Sequence, residues 1–143
     1  MKRPWHLHHS GTGEWGPLYD DAGVELVGVQ GKEGVRAHKG DGTRIGCDLI
    51  RMQPGSAFPM HTHEGDHIIY VVSGWGFVHI DGRDIEIAEG DVVHIPAEHP
   101  HGVWAAGNEL LFAAIGHPHH KVHSTKRMTI VKPGDDTARD NSN

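Results

Sequence analysis

The chain has 143 residues, enough for one domain with a sizeable core, and its 13 Lys and Arg against 19 Asp and Glu leave a formal charge of −6. That balance gives nucleic acid no general attraction, and no apolar stretch approaches the ~20 residues that a membrane span needs. A single cysteine, Cys47, excludes an intrachain disulfide, and with no apolar region in the opening MKRPWHLHHSG to suggest a secretory signal, the cytoplasm is the expected compartment.

Residues 1–20, with His6, His8 and His9, read as an N-terminal arm. VELVGV (24–29) is the first clear β-rich run, and the turn-rich KGDGT separates it from RIGCDLIRM (44–52). HIIYVVS (67–73) and WGFVHI (75–80) follow, broken by Gly74. Asp81-Gly82 then joins FVHI to RDIEIA as a tight hairpin, because both turn residues need positive φ. GDVVHIP (90–96) and ELLFAAIG (109–116) continue the series, RMTIV (127–131) adds an edge strand, and residues 133–143 read as a flexible tail. About ten short strands and no helix predict an all-β sandwich or barrel over residues 21–132. The 20 Gly and 8 Pro, spread along the chain, fit its many turns.

Histidine is the outlier, at 15 residues. In HTHEGDH (61–67), His61 and His63 lie two apart, so on an extended strand they face the same way. His67 lies four further on, where the chain turns and re-enters a strand. If His67 faces inward, so do Ile69 and Val71. Neutral imidazole nitrogens suit Zn, Cu, Fe and Ni. A fourth ligand has two candidates in PAEHPHG, His99 and His101, between which spacing does not choose. The bland alternative for the set is a structural metal, or hydrogen-bonded histidines with no metal at all.

Two segments carry a family resemblance. GSAFPMHTHEGDHIIYVVSG (55–74) resembles the first cupin signature, Gly-x5-His-x-His-x3-Glu-x6-Gly, with Gly55, His61, His63 and Gly74 in register. GDVVHIPAEHPHGVWA (90–105) resembles the second, Gly-x5-Pro-x-Gly-x2-His-x3-Asn, with Gly90, Pro96 and His101 in register. The resemblance implies a single-domain jelly-roll β-barrel and one divalent transition metal on His61, His63, His67 and His101. Three departures stand out: His67 replaces the family's glutamate, Glu98 its glycine and Ala105 its asparagine. A site of four neutral imidazoles keeps the ion at +2, which favours polarising a carbonyl or acidifying a water over oxygen chemistry. Such a site is similar to that of zinc-binding cupin polyketide cyclases of aromatic antibiotic pathways. Zinc is the expected metal, with Fe, Ni or Mn as alternatives.

Around the metal, Phe58, Met60, Trp75, Phe77, Trp104 and Phe112 lie in or beside predicted strands. Several belong to the core, and a subset at the open end would form a flat aromatic pocket. Glu64 and Asp66 sit between the ligand histidines; solvent exposure or bonds to imidazole N–H groups is the favoured reading, and a general base the sharper one. GHPHHKVHS (116–124) reads as a surface arm or dimer contact, or else folds over the barrel mouth to supply His117 or His119 as acid or base. The functional expectation is Lewis-acid cyclisation of an aromatic polyketide or similar β-dicarbonyl substrate. The alternatives are a cupin dioxygenase and a non-catalytic small-molecule-binding cupin. A homodimer through VELVGV and RMTIV is expected, because exposed sheet edges invite pairing.

Overall fold

The computed structural model describes residues 8–11, 13–38 and 40–131. His6 and the tail 133–143 lie outside the described residues. The described residues form eleven strands: β1 Gly16–Tyr19, β2 Glu25–His38, β3 Arg44–Met52, β4 Ala57–Thr62, β5 Asp66–Ser73, β6 Trp75–Ile80, β7 Arg83–Ala88, β8 Val92–Ile95, β9 His101–Ala105, β10 Leu110–His117 and β11 Thr129–Ile130. They form a six-stranded sheet, β1-β2-β3-β10-β5-β8, and a five-stranded sheet, β11-β4-β9-β6-β7. Every pairing is antiparallel. This is an all-β jelly-roll sandwich. Among the described residues, no helix is long and apolar enough to cross a membrane.

Alternation decides the interior. In β3, Ile50 and Met52 are fully buried and Asp48 and Gly46 share their face. In β5, Ile69 and Val71 point into the core, as the inward reading of His67 requires. β10 lies between β3 and β5 in the middle of its sheet, which accounts for its nearly unbroken apolar run. Asp81 and Gly82 take φ of 54° and 70° in the β6–β7 turn, the left-handed pair that the Asp-Gly signal predicts.

Three features differ from the sequence expectation. Gly16–Tyr19 falls within the predicted arm but pairs with β2 as an edge strand. Within VELVGV, Glu25 pairs with β1 and Val29 with β3, so the run is tied into the sheet at its two ends. The segment after β10 is not a surface arm, since Val122 and Met128 are in the core and the His119 N–H donates to Arg44 O. It crosses from β10 in one sheet to β11, which pairs with β4 in the other. In doing so it covers one end of the sandwich and carries His119 and Arg127 inside.

Candidate metal centre

Both sheets contribute to this end of the sandwich. β4 has a register shift between Phe58 and His61, so both side chains turn inward although they are three residues apart. His63 follows one residue after β4 and keeps the same face. His101 opens β9, directly across from His61. His61, His63 and His101 are all buried, and one nitrogen from each lies within 4.8 Å of the others. Of the two histidines that spacing left open, His101 lies with His61 and His63, whereas His99 binds Asp81 at 2.6 Å.

Hydrogen bonding sets the tautomers. The Nδ1–H groups of His61, His63 and His101 donate to the carbonyl oxygens of Pro59 (2.7 Å), Gly65 (3.2 Å) and His99 (2.9 Å). Because a carbonyl only accepts, each Nδ1 carries the proton and each Nε2 presents a lone pair in the neutral ring. The Nε2 atoms of His63 and His101 then face each other at 3.1 Å. Protonation is not the remedy for two lone pairs so close, since burial pushes His63 down to about 3 and His101 to about 4, and holds His61 well below the usual imidazole range. Three neutral imidazoles, oriented by backbone carbonyls and converging on one point, are a donor set suited to a divalent transition metal.

His67 does not join this set as expected. Its ring stacks on that of His63, with centroids 3.6 Å apart and planes 12° from parallel. In this arrangement the His67 ring does not point at the centre on which the other three converge. His67 lines the same cavity, and burial lowers its pKa.

The other predicted residues divide clearly. Phe58 and Phe112 wall the histidine cavity. Met60, Trp75, Phe77 and Trp104 do not; for the three on β6 and β9, the inward positions are taken by Val78, Ile80, Val103 and Ala105. Trp75, Phe77 and Trp104 instead form a row on the outer face of the five-stranded sheet. The aromatic pocket is thus corrected to an outer aromatic face. Glu64 and Asp66 also point outward, paired with His120 and His94, so neither is placed as a base at the centre.

His119 is buried, and its Nε2–H donates to Asp48 Oδ2 at 2.8 Å. Its Nδ1 has no partner. Asp48 Oδ1 accepts the Gly34 N–H. The His119 ring packs directly on Gly46, where a Cβ would come within 2.5 Å of it. Asp48, His119 and Arg127 line a small cavity with His63 and His67, beside the one that Arg127 shares with all four histidines. The two cavities measure about 10 and 20 Å³, room for roughly two waters in all. Sequence reasoning missed Asp48 and Arg127. Asp48 had a readable signal, a carboxylate in phase with Ile50 and Met52 on an apolar strand face. Arg127, at the start of a short edge run, had none.

The family model of the cupin domain matches residues 48–115. Over those residues the chain resembles a cupin domain. Its matched domain holds all four histidines and Asp48, while His119 and Arg127 lie beyond it. A stretch of 68 residues is 35% identical to an oxalate-binding protein of Thermotoga maritima, covering 46% of this chain and 56% of that protein. The chain spans about half the length of the curated relatives it matches. Among solved structures, the polyketide cyclase RemF from Streptomyces resistomycificus is similar over 95% of this chain and 89% of that chain, with a TM-score of 0.67 and 20% identity. A cupin-2 domain protein from Rhodospirillum rubrum aligns over 96% and 88%, with a TM-score of 0.68 and 14% identity. At these identities the likeness is one of fold.

Proposed function

We propose that this chain is a metal-dependent enzyme that moves a proton on a small carbonyl substrate. The observation that carries the reading is the convergence of three buried, carbonyl-oriented, neutral imidazoles at one end of the sandwich. His61, His63 and His101 would hold a divalent ion, which when bound would supply Lewis acidity toward a carbonyl oxygen. The chain's own part is proton handling. His119 donates through Nε2 to Asp48, so its buried Nδ1 is left as an unpaired base on a ring that lines the cavity. Asp48 orients that ring and stabilises it when it takes the proton, and the segment around His119 excludes water. Cyclisation of a β-dicarbonyl compound begins with this kind of α-proton transfer. The cavity favours a smaller substrate than an aromatic polyketide, because Trp75, Phe77 and Trp104 lie outside it and Phe58 and Phe112 alone supply its aromatic walls. Similarity to a protein named for binding oxalate, a small dicarbonyl dianion, supports the same size class.

The test is exchange of α-protons for deuterium in small 1,3-dicarbonyl compounds, followed by NMR with metal-replete and metal-stripped protein, in air and under argon. The expected result is exchange that requires metal and ignores oxygen. Exchange equal in both preparations would overturn the reading, and metal-dependent oxygen uptake would replace it with the dioxygenase alternative.

A further inference from the structure

The outer face of the six-stranded sheet is apolar across its middle. Cys47, Ile115 and Ile68 stand side by side on β3, β10 and β5 in one row. Leu49, Ala113, Tyr70 and Val92 form the next, which reaches β8. Alternation turns both rows outward, because their chain neighbours Asp48, Ile50, Ala114, Ile69 and Val71 are buried on the inner side. An antiparallel sheet with one face in water normally carries polar residues there. Here neither row holds a charge, and Ile68, Tyr70 and Val92 are 40%, 44% and 65% exposed. The outer face of the other sheet differs, since its aromatic row runs into Glu86 and Asp84, directly across from Phe77 and His79.

We propose that a second copy of this chain docks on this face, giving a two-fold dimer of sandwiches packed sheet against sheet. Size argues for it. Four strands ~4.8 Å apart, and the stretch from Ile45 to Leu49 at ~3.3 Å per residue, give the apolar centre about 300 Å² in plan. A single chain seldom exposes more contiguous apolar surface than a few hundred Å². A stable complex buries roughly 800 Å² per partner, as an apolar centre within a polar rim. Such a rim is present: Asp66, His94 and His117 border the rows at one end, and Arg51, with Trp15 stacked on it, at the other. β3, β10 and β5 each have a strand on both sides, so the face offers no free edge to an extended peptide. A two-fold axis sets these uncharged rows against their own copies, so that one surface supplies its own complement. The contact lies behind the strands that carry Asp48 and His67 inward, and it differs from edge pairing through VELVGV. It does not depend on the proposed chemistry.

The experiment is light scattering of the full chain at low and high micromolar concentration, for the wild type, Ile68→Glu, Val92→Glu and Val27→Glu. Alongside it runs the rate at which a maleimide alkylates Cys47, the one cysteine of the chain. The wild type is expected to be a dimer. Ile68→Glu should weaken it by at least roughly a hundredfold, because two-fold symmetry buries the added carboxylate twice. Val27, on β2 outside both rows, is 85% exposed, and Val27→Glu should leave the dimer mass unchanged. Cys47 should react several-fold more slowly in the wild-type dimer than in dissociated Ile68→Glu protein. A wild type that stays monomeric overturns the inference, whether another protein or the chain's own residues are found to cover the face. So does a dimer that survives Ile68→Glu, or one in which Cys47 reacts as fast as in the dissociated variant. If Ile68→Glu does not fold, Val92→Glu takes its place, at a more exposed position on the edge strand β8, and a dimer that survives it overturns the inference instead.

Discussion

His63 and His101 bring their Nε2 atoms to 3.1 Å from each other while each Nδ1–H is held by a backbone carbonyl. Neutral rings in these tautomers place two lone pairs against one another, an arrangement that a bound cation relieves. His61, whose Nδ1–H is held in the same way by Pro59, completes the convergent set.

The ligand set follows from this geometry. His61→Ala and His101→Ala should each weaken metal binding by more than roughly a hundredfold, beyond the usual effect of losing an outer partner. His67→Ala should stay within roughly tenfold of the wild type, because His67 stacks on His63 and does not converge with the other three. Competition with a chromogenic chelator measures all three variants. A loss in His67→Ala as large as in His101→Ala would mean that His67 turns to bind the ion.

Acid should destabilise the metal-free protein. Burial holds His63 near 3 and His101 near 4 in the folded chain, against about 6.5 in the unfolded chain. Between those values the unfolded chain binds protons that the folded chain refuses, so stability is whole above about pH 6.5 and falls as pH drops toward 4. The slope is up to roughly 1.4 kcal/mol per pH unit for each such histidine. Urea midpoints of stripped protein across this range are the check, and a flat profile would show that these rings are protonated in the fold. Metal should lessen the loss near neutral pH by favouring the folded, neutral rings.

The His119–Asp48 pair can be probed from two sides. Asp48→Ala leaves the Gly34 N–H and the His119 ring without their acceptor inside the core, at a cost of about 3 kcal/mol. Gly46→Ala sets a methyl group against the His119 ring, and should displace it from Asp48 while sparing the metal ligands. Deuterium exchange should fall in Gly46→Ala with metal content unchanged. Full exchange in a folded Gly46→Ala protein would remove His119 from the proposed chemistry.

Glu98 occupies the glycine position of the second cupin signature and keeps a left-handed backbone, with φ of 60°. Its side chain is exposed, and its N–H donates to His63 O. Glu98→Gly should therefore stabilise the fold by about 1 kcal/mol, because the left-handed conformation disfavours a residue with a Cβ. Thermal melting measures this, and a lower melting temperature would show that the Glu98 side chain contributes more than the strain removes.

The sequence by itself determined the fold class, the Asp81-Gly82 hairpin and the shared inward face of His61 and His63. Each is a local matter of alternation, turn chemistry or a spacing of two. The cupin signatures added His101 from a strand distant in the chain. Only the tertiary structure decided which histidines converge, since His67 satisfies the inward phase of β5 and yet stacks rather than converging. Alternation placed Trp75 and Phe77 on one face of β6 but did not say which face was the interior; the packing of Val78 and Ile80 did. Asp48 was in phase with a buried face, but its partner His119 comes from 71 residues away along the chain. His119 and Arg127 reach the cavity because the segment after β10 crosses to the opposite sheet to pair with β4. No local pattern records that crossing, because it is set by long-range pairing and by the burial of Val122 and Met128 in a core built mainly by other strands.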